Sequence, residues 1–415
     1  MIKEEIKKRK GEIIYSISSI IAPFVGMINS IIANRYVEPE DMGTIQSALL
    51  VVTYVSVLQL GVFSGISRNI AYYKAQGRMD TVQKMVDTSQ FVAALIGLLG
   101  FVIGVGYLIY VLRFNPQPIL IWSAALLTVT LLFSAPALHL DATFRSGQEF
   151  KTLGIIKLHL SWIHLLATAL PVLFGYIGYI ISQIFNSVLG YVFRCRKAPF
   201  KYKHQQNLDS YKELVSIGFP IMISGYIWTI MMVADQTYIA MHLGQEQLGY
   251  YTIARQCTAA ISVIPTALNS LLYPKAAARY GYYGTAQSLK PFFWKSILLL
   301  AVVIVPVSVA ACFVLPYFVD FAMPKYHNGI IVGQIALIAG ITSIYSGPSV
   351  VFGVLKKNTL NIIVSSMLLG VYWLVMISLP NVFSTIESVA WLRLIVLTVF
   401  MFYSLALSYY YILKS

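Results

Sequence analysis

The chain has 415 residues, 58% of them hydrophobic and 11% charged, with a formal net charge of +14. Soluble globular domains carry about a quarter charged residues, so this composition excludes an ordinary soluble domain and makes lipid the main solvent. The positive charge does not indicate nucleic acid either, because the basic residues flank apolar runs instead of forming one patch.

Cutting the sequence at its charged and Pro/Gly-rich breaks leaves twelve apolar stretches, near 12–35, 43–67, 87–112, 117–140, 153–173, 175–194, 213–241, 247–274, 292–316, 329–354, 358–380 and 386–413. Most reach the ~20 residues that an α-helix needs to cross a ~30 Å hydrocarbon core. The expected fold is an all-α polytopic membrane protein with twelve transmembrane helices. Residues 1–11 form a basic tail interrupted by Glu4 and Glu5, and the first span ends in Asn34 and Arg35 without a small-residue cleavage site. That span is expected to be retained, not cleaved as a signal peptide. The longest polar connection, 194–212, is too short for a soluble domain.

Alternate connections differ in charge. The N-terminal tail, the stretches around Lys74, Arg145, Lys197, Arg279 and Lys356, and Lys414 together hold 23 of the 30 Lys and Arg. Acids such as Glu38, Asp41, Glu246, Asp320 and Glu387 occupy the opposite loops. Because basic loops stay on the cytoplasmic side, both termini are expected in the cytoplasm of a protein of the cell (inner) membrane. Cys195, Cys257 and Cys312 are far apart, so neither a disulfide nor a metal site is expected, and no cofactor.

The two halves repeat one another. Pro23 lies in the first span, which ends at Tyr36-Val37 before Met42-Gly43 opens the second, closing near Tyr72-Tyr73-Lys74. Pro220 lies in the seventh, which ends at His242-Leu243-Gly244 before Leu248-Gly249 opens the eighth, closing at Tyr273-Pro274-Lys275. Six spans per half, each half starting on the same side, make a parallel repeat, a common plan for transporters. The expected division is a tail 1–11, an N-terminal six-helix lobe 12–194, a linker 195–212 and a C-terminal six-helix lobe 213–415.

Val37-Glu38-Pro39-Glu40-Asp41-Met42-Gly43 resembles the turn between the first two helices of the polysaccharide-export flippases, members of the MATE-like multidrug/oligosaccharidyl-lipid/polysaccharide exporter superfamily. Asp235, Ile239, Leu243-Gly244 and Leu248-Gly249-Tyr250-Tyr251 are similar to that family's seventh-to-eighth helix pattern, and Leu272-Tyr273-Pro274 and 353–358 also fit. The resemblance implies two six-helix lobes in a V, working by alternating access on a polyprenyl-diphosphate-linked glycan. It implies a transporter and not an enzyme, with the bilayer and other polysaccharide-assembly proteins as partners. Relatives that move the peptidoglycan precursor usually have two more helices, which favours the polysaccharide branch.

Such a substrate needs cations along a wet path, and an ionisable group within a span costs about 2.5–3.5 kcal/mol on insertion scales. Arg255 lies about 12 Å into the eighth span and Asp235 about 9 Å into the seventh, at 1.5 Å per residue. These two can pair across the turn, or Asp235 can carry a coupling ion. Arg393 in the twelfth span is expected to snorkel outward or to complete an ionic pair. Arg35, Arg68 and Arg255 fall on spans that line the central cleft in the resembled fold, and they are the candidate substrate-binding residues, since a guanidinium binds phosphate bidentately. His159 and His164 are five apart and do not share a helical face, so packing explains them better than metal. Three alternatives stand beside the flippase: a cation-coupled multidrug exporter, disfavoured because Glu12, Asp87 and Asp141 sit at span edges; a membrane glycosyltransferase or polymerase, disfavoured by the short outer loops; and a non-transporting scaffold.

Overall fold

A computed structural model of the chain describes residues 2–355 and 359–414, with backbone alone for 2–10, Ala267, Ser270, Leu271, Tyr273, Pro274, Gly353 and Thr359. Lys356, Lys357 and Asn358 of the family-like 353–358 stretch lie outside the described residues, as do the side chains of Tyr273 and Pro274. The described residues form helices joined by turns and short connections and contain no strand. They fall into two compact units, Met1–Ile230 and Met231–Ser415.

The first unit contains α1 (Ile2–Tyr36), α2 (Pro39–Val55), α3 (Val62–Ala75), α4 (Met79–Phe114), α5 (Pro118–Ser146), α6 (Phe150–Leu166), α7 (Ala169–Arg196) and most of α8 (Leu208–His242). The end of α8 belongs to the second unit, followed by α9 (Gln245–Tyr283), α10 (Lys290–Ala322), α11 (Ile330–Ile341), α12 (Ser346–Leu355), α13 (Thr359–Ser378) and α14 (Ile386–Lys414). Proline sets two of the starts. Pro39 and Pro118 follow extended Glu38 and Gln117 and sit in the first turn, where the missing N–H costs nothing.

Among the described residues ten helices are long and apolar enough to cross a membrane, α4, α5, α7, α8 and α14 among them. The expected spans 153–173 and 247–274 are not among the ten. The first ends early: α6 stops at Leu166, after 17 residues, or about 25 Å at 1.5 Å per residue. The second lies in α9, of 39 residues, whose first half carries Gln245, Gln247, Arg255 and Gln256 and whose second half includes positions described by backbone alone.

One expected span is also broken, and another carries a 3-10 turn while remaining a single candidate span, Pro324–Phe352. The run 43–67 divides after a 3-10 turn at Ser56–Gln59, where Leu60 (φ 46°) and Gly61 (φ 84°) both turn left-handed. Only its part up to Gln59 counts among the ten. The run 329–354 is interrupted by a second 3-10 turn, Thr342–Tyr345, between α11 and α12. A left-handed pair ends the α-helical ladder because consecutive carbonyls no longer point along the axis, and Gly61 is the residue that tolerates it.

The break also brings α3 against α8. A Cβ on Gly218 would lie 1.9 Å from the Gly61 carbonyl oxygen, and one on Gly65 2.2 Å from that of Leu214. The two backbones therefore touch, as small residues allow. Below this contact, Asn69 Nδ2 and the Tyr73 hydroxyl both donate to Glu213 Oε1, at 3.2 and 2.7 Å. In the second unit, Gly329 and Gly333 play the same part for α9: added Cβ atoms would lie 2.5 Å from the Tyr250 carbonyl oxygen and 2.7 Å from the Ile253 side chain.

Residues 195–212, expected as a linker, are tied into the first unit. The buried Asp87 carboxylate accepts the backbone N–H groups of Lys203 and Gln205 and the Gln83 amide. Thr88 Oγ1 accepts from the Asn207 N–H at 3.2 Å. With this segment fastened to α4, the boundary between the units falls within α8.

Candidate functional site

Helices α1, α3, α5 and α6 and the start of α8 leave an open cavity of about 650 Å³ in the first unit. Helix α3 contributes Phe63, Ser64, Ser67 and Ala71, which share one helical face, and the break just before α3 adds Gln59. The end of α5 contributes Leu138, Arg145 and Ser146, and Gln148 follows. Glu12 enters from α1 and Ile221 from α8.

The lining mixes hydroxyls and amides with one cation and one anion. Ser67 and Ser146 spend their hydroxyl protons on Phe63 and Ala142 carbonyls one turn back, so their oxygens remain acceptors. Arg145 is exposed, and among the described residues it has no side-chain partner. Its guanidinium presents a full set of donors to whatever enters, a fork suited to phosphate or carboxylate. Glu12 is likewise exposed and unpaired among the described residues.

The second unit handles charge in the opposite way. Asp235, fully buried near the end of α8, forms an ion pair with Arg393 of α14, itself 6% exposed. The Tyr251 hydroxyl of α9 donates to the same carboxylate oxygen at 2.5 Å, and the Gln236 N–H donates to the other at 2.8 Å. Tyr372 of α13 is buried, and its hydroxyl has no hydrogen-bond partner among the described residues. A buried carboxylate with a guanidinium and a phenol on it is electrically satisfied, the condition for a charge to persist away from water.

The predicted residues are thus dispersed. Asp235 and Arg393 are together, and Arg393 does not snorkel outward; a carboxylate 158 residues away in sequence holds it inside. The partner of Asp235 expected across the turn was Arg255, whereas its carboxylate is shared by Arg393 and Tyr251. Arg255 is half-buried on α9, and Arg35 is exposed at the end of α1. Arg68 is exposed on α3, one residue along from the cavity-lining Ser67. Sequence reasoning passed over Arg145, counting it only among basic residues outside the spans. It also set Glu12 at a span edge, where the structure has it lining the cavity. The signal available was the spacing of Ser64, Ser67 and Ala71, a small-residue face that leaves room.

The family described as polysaccharide biosynthesis protein matches residues 32–331, more than two thirds of the chain. The chain belongs to this family. The matched segment includes Arg68, Arg145 and Asp235, while Arg393 lies beyond it. No curated protein matches the sequence.

Solved structures place the fold of this polysaccharide biosynthesis family member. A multidrug resistance MATE family transporter of the MOP superfamily, in an inward-facing conformation, superposes with a TM-score of 0.73 over 94% of both chains at 14% identity. The lipid II flippase MurJ, in an inward closed conformation, does so with a TM-score of 0.72 at 13% identity, over 95% of this chain and 87% of that one. A MOP superfamily transporter from Pyrococcus furiosus Vc1 matches with a TM-score of 0.66 at 14% identity, over 98% and 96%. The chain is a polytopic membrane protein with a MATE-like fold.

Proposed function

We propose that this protein is a flippase that carries a polyprenyl-diphosphate-linked oligosaccharide from the inner to the outer leaflet of the cell membrane by alternating access, with both termini in the cytoplasm. The observation that supports it most is the cavity in the first unit. Its uncommitted guanidinium, Arg145, stands among Ser64, Ser67, Ser146, Gln59 and Gln148, a set that suits a phosphorylated sugar head. Membership of a polysaccharide biosynthesis family supports a glycan cargo. Arg68, next to the cavity-lining Ser67, adds a cation in the first unit; Arg35 and Arg255 are proposed substrate ligands on the family resemblance, each within its own unit. Asp235 and Arg393 act in this reading as a structural pair, because a carboxylate already neutralised by arginine has little need of a coupling ion.

Translocation of a fluorescent polyprenyl-diphosphate oligosaccharide in proteoliposomes, scored with a membrane-impermeant reagent, tests the reading. The protein is expected to support flipping, and Arg145→Glu to slow it by about tenfold or more, the kinetic equivalent of ~1.4 kcal/mol. Because Arg145 is exposed, membrane abundance and thermal stability should not change. Unaltered flipping in Arg145→Glu overturns the site, and absence of flipping across several glycans overturns the function. Glu12 in the same cavity favours a second reading, export of cationic compounds. Uptake of a cationic dye that Glu12→Gln abolishes would select it.

A further inference from the structure

A second cavity, of about 490 Å³, lies on the outer face of α6 where it meets the end of α7. We infer that it is a binding site for the phosphate headgroup of an anionic phospholipid of the surrounding leaflet. The inference is independent of the transported substrate.

The face of α6 decides where the cavity opens. Ile155, Trp162 and Leu166 are 36%, 66% and 77% exposed, and they recur at helical spacing along one side. Large apolar side chains exposed on a membrane helix meet lipid. Lys151, Ile155 and His159 continue that stripe toward the helix start and line the cavity with Phe193 and Lys197 of the α7 end. The occupant therefore arrives from the bilayer, not from the cavity of Arg145.

The lining decides its chemistry. Lys151 and Lys197 are exposed and have no partner among the described residues, and no carboxylate lines the cavity. His159 donates its Nδ1–H to the Ile155 carbonyl at 2.8 Å, which leaves Nε2 for a ligand. The neighbouring Glu149 carboxylate accepts from the Thr152 hydroxyl at 3.3 Å. Two cations at the helix ends above an apolar wall fit an amphiphile with a negative head and acyl chains along Ile155 and Trp162. A sugar-bearing head is a poor fit, since Thr152 is the only neutral hydroxyl in the lining and is already engaged.

Native mass spectrometry of the full chain, titrated with phosphatidylglycerol and with phosphatidylcholine, tests the site. Phosphatidylglycerol is expected to bind more tightly, and its affinity to fall about fivefold for each of Lys151→Gln and Lys197→Gln, the worth of one basic residue at an anionic surface. Ile155→Trp, which fills the cavity on an exposed position without changing charge, should also weaken binding and serves if the lysine variants fail to fold. Arg145→Gln should leave it unchanged. Equal binding of the two lipids, retention of the preference in the double lysine variant, or an equal loss in Arg145→Gln overturns the assignment. Displacement of phosphatidylglycerol by a polyprenyl-diphosphate glycan, relieved by the same lysine variants, assigns the site to the carrier lipid and overturns the phospholipid reading.

Discussion

The two units of this molecule share an apolar helical background and use charge in contrary ways. The first leaves Arg145 and Glu12 without a partner among the described residues at an open cavity, while the second buries Asp235 and Arg393 against each other with Tyr251 on the carboxylate. An exposed, unpaired charge keeps its interaction energy for a ligand. A buried, paired charge has already used it on the fold. Finding a charge within a membrane sequence therefore does not locate a site, and its partner has to be known first.

This contrast is sharpened most by removing one member of the buried pair. Asp235→Ala or Arg393→Ala strands a charge and is expected to cost about 3–5 kcal/mol, seen as a large fall in melting temperature in detergent. The double replacement Asp235→Leu with Arg393→Met should recover most of that loss, because no lone charge remains; failure to recover would show that the pair does more than hold the second unit together. Next comes the backbone contact in the first unit. Gly218→Leu forces α3 and α8 apart where a Cβ already would lie 1.9 Å from the Gly61 oxygen, at a cost of about 3 kcal/mol, the upper end of ordinary overpacking. Asp87→Ala should cost about 2 kcal/mol, in the range for hydrogen bonds to a charged group. Its specific mark is faster tryptic cleavage at Lys203, whose backbone N–H the Asp87 carboxylate accepts. The smallest effect is expected at Arg194, whose 2.8 Å pair with Asp141 is part-exposed, so that Arg194→Ala changes stability by less than about 1 kcal/mol.

Much of the fold is readable because lipid imposes a simple code of apolar length and flanking charge. The starts at Pro39 and Pro118 and the turn at Gly244 follow from single residues. What could not be read depends on partners distant in the chain. Gly61 sits in an apolar run that looks continuous, and isolated glycines are common in membrane helices; its left-handed backbone is understood only once Gly218 is found against it. Arg393 looked able to snorkel because nothing nearby in sequence is acidic apart from Glu387, while the true partner comes from α8. Arg145 was legible as a basic residue near a helix end, but its neighbours Ser64 and Ser67 come from another helix, so the cavity was not.

The polarity of α9 bears on how the chain is made. A helix carrying Gln245, Gln247, Arg255 and Gln256 does not leave the translocon for hydrocarbon by itself. The glycines that cover it, Gly329 just before α11 and Gly333 within it, are synthesised much later. Biogenesis thus acquires an order, in which α9 waits at the aqueous margin until its cover emerges. Cys257, native to α9 and buried in the finished fold, reports on that wait. With Cys195 and Cys312 replaced, a water-soluble maleimide should label ribosome-bound chains that end near Ala322, in which α9 has left the ribosome and α11 is not yet made, and should miss chains long enough to have released α11.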